Sequence, residues 1–334
     1  MRFIFSILAV TLWMTAFADE GTTLDYLTVG VGVRPAGMGN AFVGVSDDAN
    51  AVHWNPGGLI FMSSPEIGYM HTELPAGTDY DYLTVATPVK FKQGRIMIVS
   101  REILPLGISE SYRHYFGVSF VRVATDFQIT SVGDTEPGTN YPSIVYYGTG
   151  KFSTMYYNFA YAYRWKNFGI GLGLKILDMD LYRHSGQGYG LNVGLMYVAK
   201  IMKFPVSLGL TVRDIGCTPI RWSTGYTEYV ATTVEPGFAI KLLPRENEFS
   251  SGVTLAFSCE QVLPVGYVKT WHRPKFHAGL EWSIYNVVPV RFGYDAGHFT
   301  CGLGIRAEKI EINYAFSAQP ELKNTHRIGI SLRM

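Results

Sequence analysis

The second half of the chain consists of segments of about eight to ten residues that alternate between apolar and small or polar positions, with short turns between them. In one such segment Tyr157, Phe159, Tyr161, Tyr163 and Trp165 all share one parity. Side chains of a β-strand point to opposite faces with a period of two, so each segment predicts a strand with one apolar and one polar or glycine face. Repeated dyad segments of this kind are the sequence signature of a transmembrane β-barrel.

Fifteen segments of the chain read as strands. They span residues 66–74, 80–90, 94–102, 114–126, 153–165, 168–179, 188–199, 204–214, 235–242, 250–262, 274–284, 287–296, 300–307, 309–317 and 325–334. Bacterial single-chain barrels carry an even number of strands, so we expect about 14. The doubtful segment lies between 94 and 126, where Pro105 and Gly107 interrupt pairing and mark either an insertion or a kinked strand.

The lengths of the connections predict the two sides of the membrane, because periplasmic turns are short and extracellular loops are longer. Short turns at 165–168, at 200–203 and around Asn286 are expected on the periplasmic side. The extracellular loops are then expected at residues 127–152, 179–187, 215–234 and 263–273.

Composition supports a barrel over a helical membrane protein. The chain is 47% hydrophobic and 16% charged, yet its mean hydropathy is only +0.09, because apolar residues are spread by alternation. Beyond the first 18 residues, no stretch approaches the roughly 20 apolar residues of a spanning helix. The 22 Tyr, 20 Phe and 6 Trp suit the aromatic girdles of an outer-membrane barrel. An aromatic-rich soluble β-sandwich or propeller is the alternative.

The N-terminus predicts export. Arg2 precedes an apolar run from Phe3 to Thr15, and Ala16-Phe17-Ala18 forms an A-x-A cleavage site. We expect a signal peptide over residues 1–18, a hatch or plug segment over 19–62 and a transmembrane barrel over 63–334, in the outer membrane of a bacterial cell. An uncleaved N-terminal anchor is the alternative, for which the apolar run is short.

Charged residues fall on the inward parity of the predicted strands. A net charge of +1 without a basic block gives no sign of nucleic-acid binding. Both signs are mixed on the inward parity, so no single-sign ring for ion selectivity is expected. These residues are predicted either to bond one another and the plug or to line a substrate path: Lys175, Arg213, Lys241, Glu260, Lys275, His277, Glu281, Arg291, Asp295, Arg306, Glu311, Asn313 and Arg333.

The segment from Gly30 to Leu59 is rich in glycine and small residues and lacks sustained alternation. It contains Arg34-Pro35, which favours extended backbone, and Gly37 and Gly39, which let the chain approach the wall closely. Asp47 and Asp48 are suited to begin a short helix through Ala49 to His53, and Asn55-Pro56 is an N-cap followed by proline at the first helical position. We therefore expect a compact plug of short helices, with Arg34 paired to Asp47 or Asp48.

Catalytic and ligand-binding interpretations of the same segment are weaker. Gly37 and Gly39 begin like a dinucleotide-binding loop, but Phe42 stands at the third glycine position. Ser46, Asp47 and His53 lack an oxyanion hole, and Asp47, Asp48 and Asn50 lack the glycine and distal glutamate of a calcium loop. We expect neither enzymatic activity nor a cofactor or metal.

The same block of about thirty residues, Gly30 to Leu59, resembles the N-terminal signature of the PorV/PorQ family, within the wider group of FadL-like outer-membrane barrels. The resemblance implies a 14-stranded barrel whose N-terminal segment folds into the lumen as a hatch. For PorV-type proteins it implies a role in the type IX secretion system, receiving exported proteins at the outer membrane. FadL-like relatives instead pass hydrophobic small molecules, and their Asn-Pro-Ala is Asn55-Pro56-Gly57 here.

Two functions follow as hypotheses. In the first, a plugged barrel surrounded by outer-membrane lipid binds or shuttles secreted proteins, or a secretion pore, through its loops. The contacts would come from Tyr146, Tyr147, Trp222 and Tyr226, with Tyr141 and Tyr229, although anchoring at lipid headgroups is an equal alternative for these aromatics. In the second, the barrel transports a hydrophobic ligand past the hatch.

Overall fold

The computed structural model describes residues 29–92, 95–98, 112–135, 142–202, 204–243, 251–266, 271–318 and 324–334. The predicted signal peptide, Pro105, Gly107 and Tyr141 lie outside these residues. The strands are β1 Glu66–Leu74, β2 Thr78–Lys92, β3 Arg95–Ile98, β4 His114–Thr135, β5 Pro142–Trp165, β6 Phe168–Leu181, β7 His184–Ile201, β8 Phe204–Arg213, β9 Thr218–Trp222, β10 Thr227–Val230, β11 Thr233–Leu243, β12 Gly252–Val262, β13 Lys275–Ile284, β14 Val288–Asp295, β15 His298–Ala307, β16 Ile310–Ser317 and β17 Thr325–Arg333.

Fourteen of these strands form a closed antiparallel barrel. Each wall strand pairs with its neighbour along the chain, and β1 closes the ring by pairing with both β2 and β17. Closure leaves no unpaired edge, which is what a sheet needs in hydrocarbon. The predicted strand at 94–102 is not a wall strand, because β3 pairs with the end of β2 while β2 pairs with β4 to complete the wall.

The two faces of the wall differ as the alternation predicts. On β6, Ile170, Leu172 and Leu174 are 44%, 56% and 42% exposed on the outer face. The glycines between them are buried on the inner face. Large exposed apolar side chains occur on strands all around the wall, which is stable only if lipid covers them. Within the described ranges no helix has the length and apolar character needed to span a membrane.

Parts of several segments predicted as loops form β-strands. β4 and β5 continue as a paired hairpin over most of residues 127–152, and β6 and β7 meet at a turn of two residues, Tyr182 and Arg183. These extensions were missed because Thr, Ser, Gly and Asp replace the apolar residues that mark a wall strand. Within the predicted loop at 215–234, β9 pairs with β10 and with the end of β7.

Residues 29–62, here called the plug, are mostly buried inside the barrel and contain two short α-helices, α1 (Val33–Gly37) and α2 (Ala51–Trp54), and a 3-10 helix, Pro56–Phe61. The Asn55 side chain caps the 3-10 helix by accepting a hydrogen bond from the Gly57 amide at 3.0 Å, with Pro56 at the first position, as predicted. The helix predicted at 49–53 begins later, at Ala51, because the Asp48 carboxylate accepts the Asn50 amide at 2.8 Å and closes a turn there.

Candidate functional site in the barrel lumen

Arg34 is the main ionic connection between the plug and the wall. Its Nη1 lies 2.6 Å from Asp47 Oδ1 and 2.9 Å from Asp48 Oδ2, so the expected pairing involves both carboxylates. Its Nε and Nη2 donate to the two carboxylate oxygens of Glu281, on β13, at 2.7 and 2.9 Å. Bidentate pairs of this kind are strong and fix geometry as well as charge. Glu281 was predicted to face the lumen, but its role as the wall partner of Arg34 was not foreseen.

The network continues along the wall from Glu281. Arg291, which is fully buried, donates from Nε to Glu281 at 2.8 Å and from Nη2 to Glu311 at 2.9 Å. Glu311 also accepts from Arg306 at 2.6 Å. The chain Asp47/Asp48–Arg34–Glu281–Arg291–Glu311–Arg306 alternates in sign, so each buried charge has a partner of opposite sign. This part of the lumen therefore has the interspersed charges predicted from sequence, not a ring of one sign.

The Asp47 carboxylate stays ionised in this position. Burial alone would raise its pKa, but Arg34 beside it, and Lys241 at 3.3 Å, outweigh burial and lower the pKa well below its ordinary value. Arg34 and Lys241 thus stabilise the charged form that the plug needs for docking. Asp47 is thus bonded to two cations, and Asp48 pairs with Arg34 and accepts from the Asn50 amide.

Backbone and amide contacts hold the rest of the plug. Asn55 donates to the carbonyl oxygens of Val43 and Leu195, both at 3.0 Å, so one side chain caps a helix and joins the plug to β7. Asn40 donates to Asp295 at 2.7 Å on the opposite part of the wall. This bond places the Asp295 carboxylate on the plug side of β14.

The remaining proline and glycines of the motif, Pro35, Gly37 and Gly39, are buried, and the two glycines lie against the wall. Pro35 and Gly37 are buried in α1. A Cβ on Gly39 would lie 2.5 Å from the Tyr294 amide nitrogen, and Gly39 has a φ of +62°, so both space and backbone conformation require glycine there.

A second ionic cluster lies on the neighbouring strands β8, β11 and β12. Arg213 Nη2 lies 2.6 Å from Glu260 Oε2 and 3.0 Å from Glu235 Oε2. Nearby, Lys175 donates to Asp214 at 2.7 Å. Glu235 and Asp214 were not singled out from sequence, because they lie at the ends of the predicted strands 235–242 and 204–214, where alternation no longer determines the face. The structure pairs Arg213 and Glu260 but keeps them apart from the Arg34 network.

The inner wall is apolar toward the end of the barrel that carries the β9–β10 hairpin. Strand register places inward residues of six neighbouring strands side by side in rows. Two rows, here called the apolar rows, consist of Tyr80, Val123, Thr154, Met179, Gly186 and Trp222, and of Tyr82, Val121, Tyr156, Leu177, Gly188 and Ile220. The next row toward the short turns, here called the polar row, consists of Thr84, Ser119, Asn158, Lys175 and Gly190.

Inward apolar rows are unexpected in a barrel that encloses water, whose interior is polar. Val121, Leu177 and Ile220 have no exposed surface, and they belong to one apolar cluster with Phe42 and Trp54 of the plug. Alternation in the sequence did not reveal this region, because apolar residues of one parity were all expected to face lipid. In β4, β5 and β6 the inward side is apolar as well where the strands approach the loops.

The aromatic residues predicted for partner binding do not form one surface. Tyr147 is 69% exposed on the β4–β5 hairpin and Tyr226 is 66% exposed at the tip of the β9–β10 hairpin. Trp222 instead turns inward, where its Nε1 donates to Glu228 at 3.1 Å and its ring packs against the apolar cluster. The side chain of Tyr146 lies outside the described residues.

The protein is an outer-membrane β-barrel, as defined by its closed wall, its apolar lipid-facing belt and its plugged lumen. The fold is similar to two solved outer-membrane proteins, the toluene transporter TbuX of Ralstonia pickettii and the toluene transporter TodX of Pseudomonas putida. The TM-scores are 0.53 and 0.51, with 12% identity over 91% of this chain and 98% of each of theirs. At this identity the likeness establishes the fold.

No family model matches the chain. The comparison with curated proteins likewise finds no match. The resemblance to the PorV/PorQ family therefore receives no support from these comparisons, and the two similar structures establish the barrel fold alone.

Proposed function

We propose that this protein transports small hydrophobic molecules across the outer membrane, with the plug controlling passage. The observation that carries the proposal is the pair of apolar rows on the inner wall, which form with Phe42 and Trp54 of the plug an apolar interior that water-filled porins lack. The likeness in fold to two toluene transporters is consistent with it.

The location of the apolar rows suggests the order of events. They lie toward the β9–β10 hairpin, on the side assigned as extracellular by connection length, and they pack against Phe42 and Trp54, so a solute from outside meets the rows and the plug together. Burying a small apolar molecule there contributes about 25 cal/mol per Å² of apolar surface removed from water. The buried plug fills the lumen beyond, so passage requires the plug to shift.

The test is uptake by whole cells, because the intact outer membrane is the barrier that the protein would bypass. A bacterial host lacking its own transporter for the solute would express the wild-type chain, and entry of radiolabelled toluene would be measured. Leu177→Asn and Met179→Gln make the apolar rows polar, and we expect each to reduce the initial rate severalfold. Met202→Gln, at a site that is 90% exposed in the β7–β8 turn, is the matched control and should leave uptake unchanged.

Toluene uptake equal to that of the empty host would overturn the proposal. Equal uptake by wild type and both lumen variants would show that the solute does not pass along the apolar rows.

A second candidate is partner binding in protein secretion, as the PorV/PorQ resemblance implies. Its specific support is the long β4–β5 hairpin, which carries the exposed Tyr147 away from the wall. Affinity purification from the native membrane separates the two functions. A stable complex with exported proteins, lost in Tyr147→Ser together with Tyr226→Ser, would favour secretion.

A further inference from the structure

His53 occupies a position in the plug that the docking network does not use. The residue that follows it is fixed: Trp54 donates from Nε1 to the Val31 carbonyl at 3.0 Å, and the Trp54 carbonyl accepts from Thr211 at 2.9 Å. His53 itself is only partly buried, although α2 around it is buried. Its backbone is therefore held rigidly while its ring faces the lumen.

The ring lies where the apolar rows meet the polar row. It contacts Tyr156 of the apolar rows, with ring centroids 6.2 Å apart, and stands edge-on to Trp54 at 5.5 Å. Lys175 belongs to the polar row and is near enough to influence the charge of the imidazole. Among the described residues, no side chain or carbonyl forms a hydrogen bond with the ring nitrogens of His53.

The imidazole is neutral at ordinary pH. Packing around the ring and the nearby cations Arg213 and Lys175 lower the pKa of His53 to about 3. A neutral imidazole has one nitrogen that donates and one that accepts. The two cations are themselves paired with Asp214, Glu235 and Glu260, so the position favours a neutral polar group over a free anion.

We propose that His53 recognises a hydroxyl group on the transported molecule, so that the preferred substrates are apolar molecules bearing one neutral hydrogen-bonding group, such as phenols. The apolar rows contact the hydrocarbon part, and the His53 ring forms the hydrogen bond at their boundary. A buried polar group that finds its partner only in one ligand discriminates against the analogue that lacks it. This inference rests on the proposed transport of hydrophobic molecules and specifies its substrate class.

The test compares toluene with p-cresol, which differs by one hydroxyl group. Equilibrium binding to the purified full-length barrel in detergent is measured for both, with benzoate as an anionic reference. Because one hydrogen bond contributes about 0.5–1.5 kcal/mol, the wild type should prefer p-cresol by about 2- to 10-fold, beyond the ratio set by their partition between water and detergent. His53→Phe keeps an aromatic ring and should lose this preference while still binding toluene, and His53→Gln should retain part of it.

A second measurement uses the wild-type protein and therefore does not require that a variant folds. Diethyl pyrocarbonate modifies neutral imidazoles, and peptide mapping identifies which of the 8 histidines reacted. At concentrations that give equal occupancy of the protein, p-cresol should slow the reaction at His53 more than toluene does.

The outcomes separate the two proposals. Toluene binding with an unchanged p-cresol preference in His53→Phe, or with equal protection of His53 by both ligands, overturns the role of His53 and leaves transport standing. Tighter binding of benzoate than of p-cresol overturns the neutral substrate class. Absence of binding by toluene and p-cresol alike in the wild type overturns the transport proposal, and the present inference with it.

Discussion

The Nε of Arg34 lies 2.7 Å from Oε2 of Glu281, a contact that joins the plug to a wall strand 247 residues further along the chain. Both side chains are nearly excluded from solvent, with 11% and 3% of their surfaces exposed. The same guanidinium also holds Asp47 and Asp48. This one residue therefore folds the plug on itself and fixes it to the barrel.

Charge reversal at Arg34 should release the plug. Arg34→Glu would place four carboxylates together, and breaking a buried pair by removing one partner typically costs about 3–5 kcal/mol. We expect proteolysis within residues 30–62 of the folded barrel to accelerate by about 100-fold or more, since every 1.4 kcal/mol corresponds to tenfold. Arg221→Glu, on the exposed outer side of β9, is the control and should leave the cleavage rate unchanged. Undiminished protection in Arg34→Glu would mean that the plug is held by packing alone.

Replacing the Asn55 side chain should loosen the plug, whether the replacement removes the amide or converts it to a carboxylate. Asn55→Ala removes the cap and leaves the carbonyls of Val43 and Leu195 without this donor, which costs about 1–3 kcal/mol for each group left unsatisfied. Asn55→Asp keeps the cap acceptor but places a carboxylate against the same two carbonyl oxygens. Hydrogen exchange of the amides of residues 57–62 should therefore accelerate in both variants. Normal exchange in Asn55→Asp would show that the cap alone matters.

Alanine substitutions at two glycines with similar backbone angles distinguish the cost of a close contact from the cost of backbone strain. Gly39 and Gly77 have φ of +62° and +67°, but a Cβ on Gly39 meets the Tyr294 backbone whereas one on Gly77 meets nothing within 4 Å. Gly77→Ala should cost only about 1 kcal/mol for the left-handed conformation. Gly39→Ala should lower the Tm of the detergent-solubilised barrel, or the protection of the plug, considerably more. Equal effects would mean that the plug is not seated against Tyr294.

Plug docking should weaken in mild acid because of His53. Its pKa is about 3 in the folded protein and about 6.5 when unfolded, so the unfolded plug binds more protons between these values. The contribution of His53 to stability is therefore complete above about pH 6.5 and declines as the pH falls toward 3. Hydrogen exchange of α2 measured from pH 7.5 to 4.5, corrected for the intrinsic rate, should show this decline in the wild type and a flatter profile in His53→Gln. Identical profiles would contradict the burial of a neutral imidazole.

Much of the barrel follows from the period of two. β1 coincides with its predicted range of 66–74, and the wall strands from β11 to β17 agree within a few residues, because in each of them the lipid face forces strict alternation. The excess strand was expected within 94–126, where Pro105 and Gly107 interrupt the sequence pattern, and β3, which is not a wall strand, lies in this region. The sequence could not show whether this segment belongs to the wall. That depends on the pairing of β2 with β4, which leaves no local pattern in the sequence.

The site was less predictable than the wall. Inward charges such as Arg291 and Glu311 were found, because parity alone determines that they avoid lipid. Their partners were not, because pairing across the lumen depends on shear and on the path of the plug. The apolar rows were missed for a different reason: alternation distinguishes two faces only when one of them is polar, and Tyr156 and Leu177 stand on strands that are apolar on both faces near the loops.

Photoaffinity labelling with a small aryl diazirine tests the central claim most directly, since it reports where a hydrophobic molecule resides in the full-length protein within its membrane. Lipid-facing residues will be labelled in any barrel, so the informative peptides are those with inward side chains. If hydrophobic molecules occupy the apolar rows, Tyr156, Leu177, Met179 and Trp222 should be labelled, and excess unlabelled toluene should suppress that labelling. Labelling confined to the lipid-facing side chains, with the apolar rows unmodified, would contradict it.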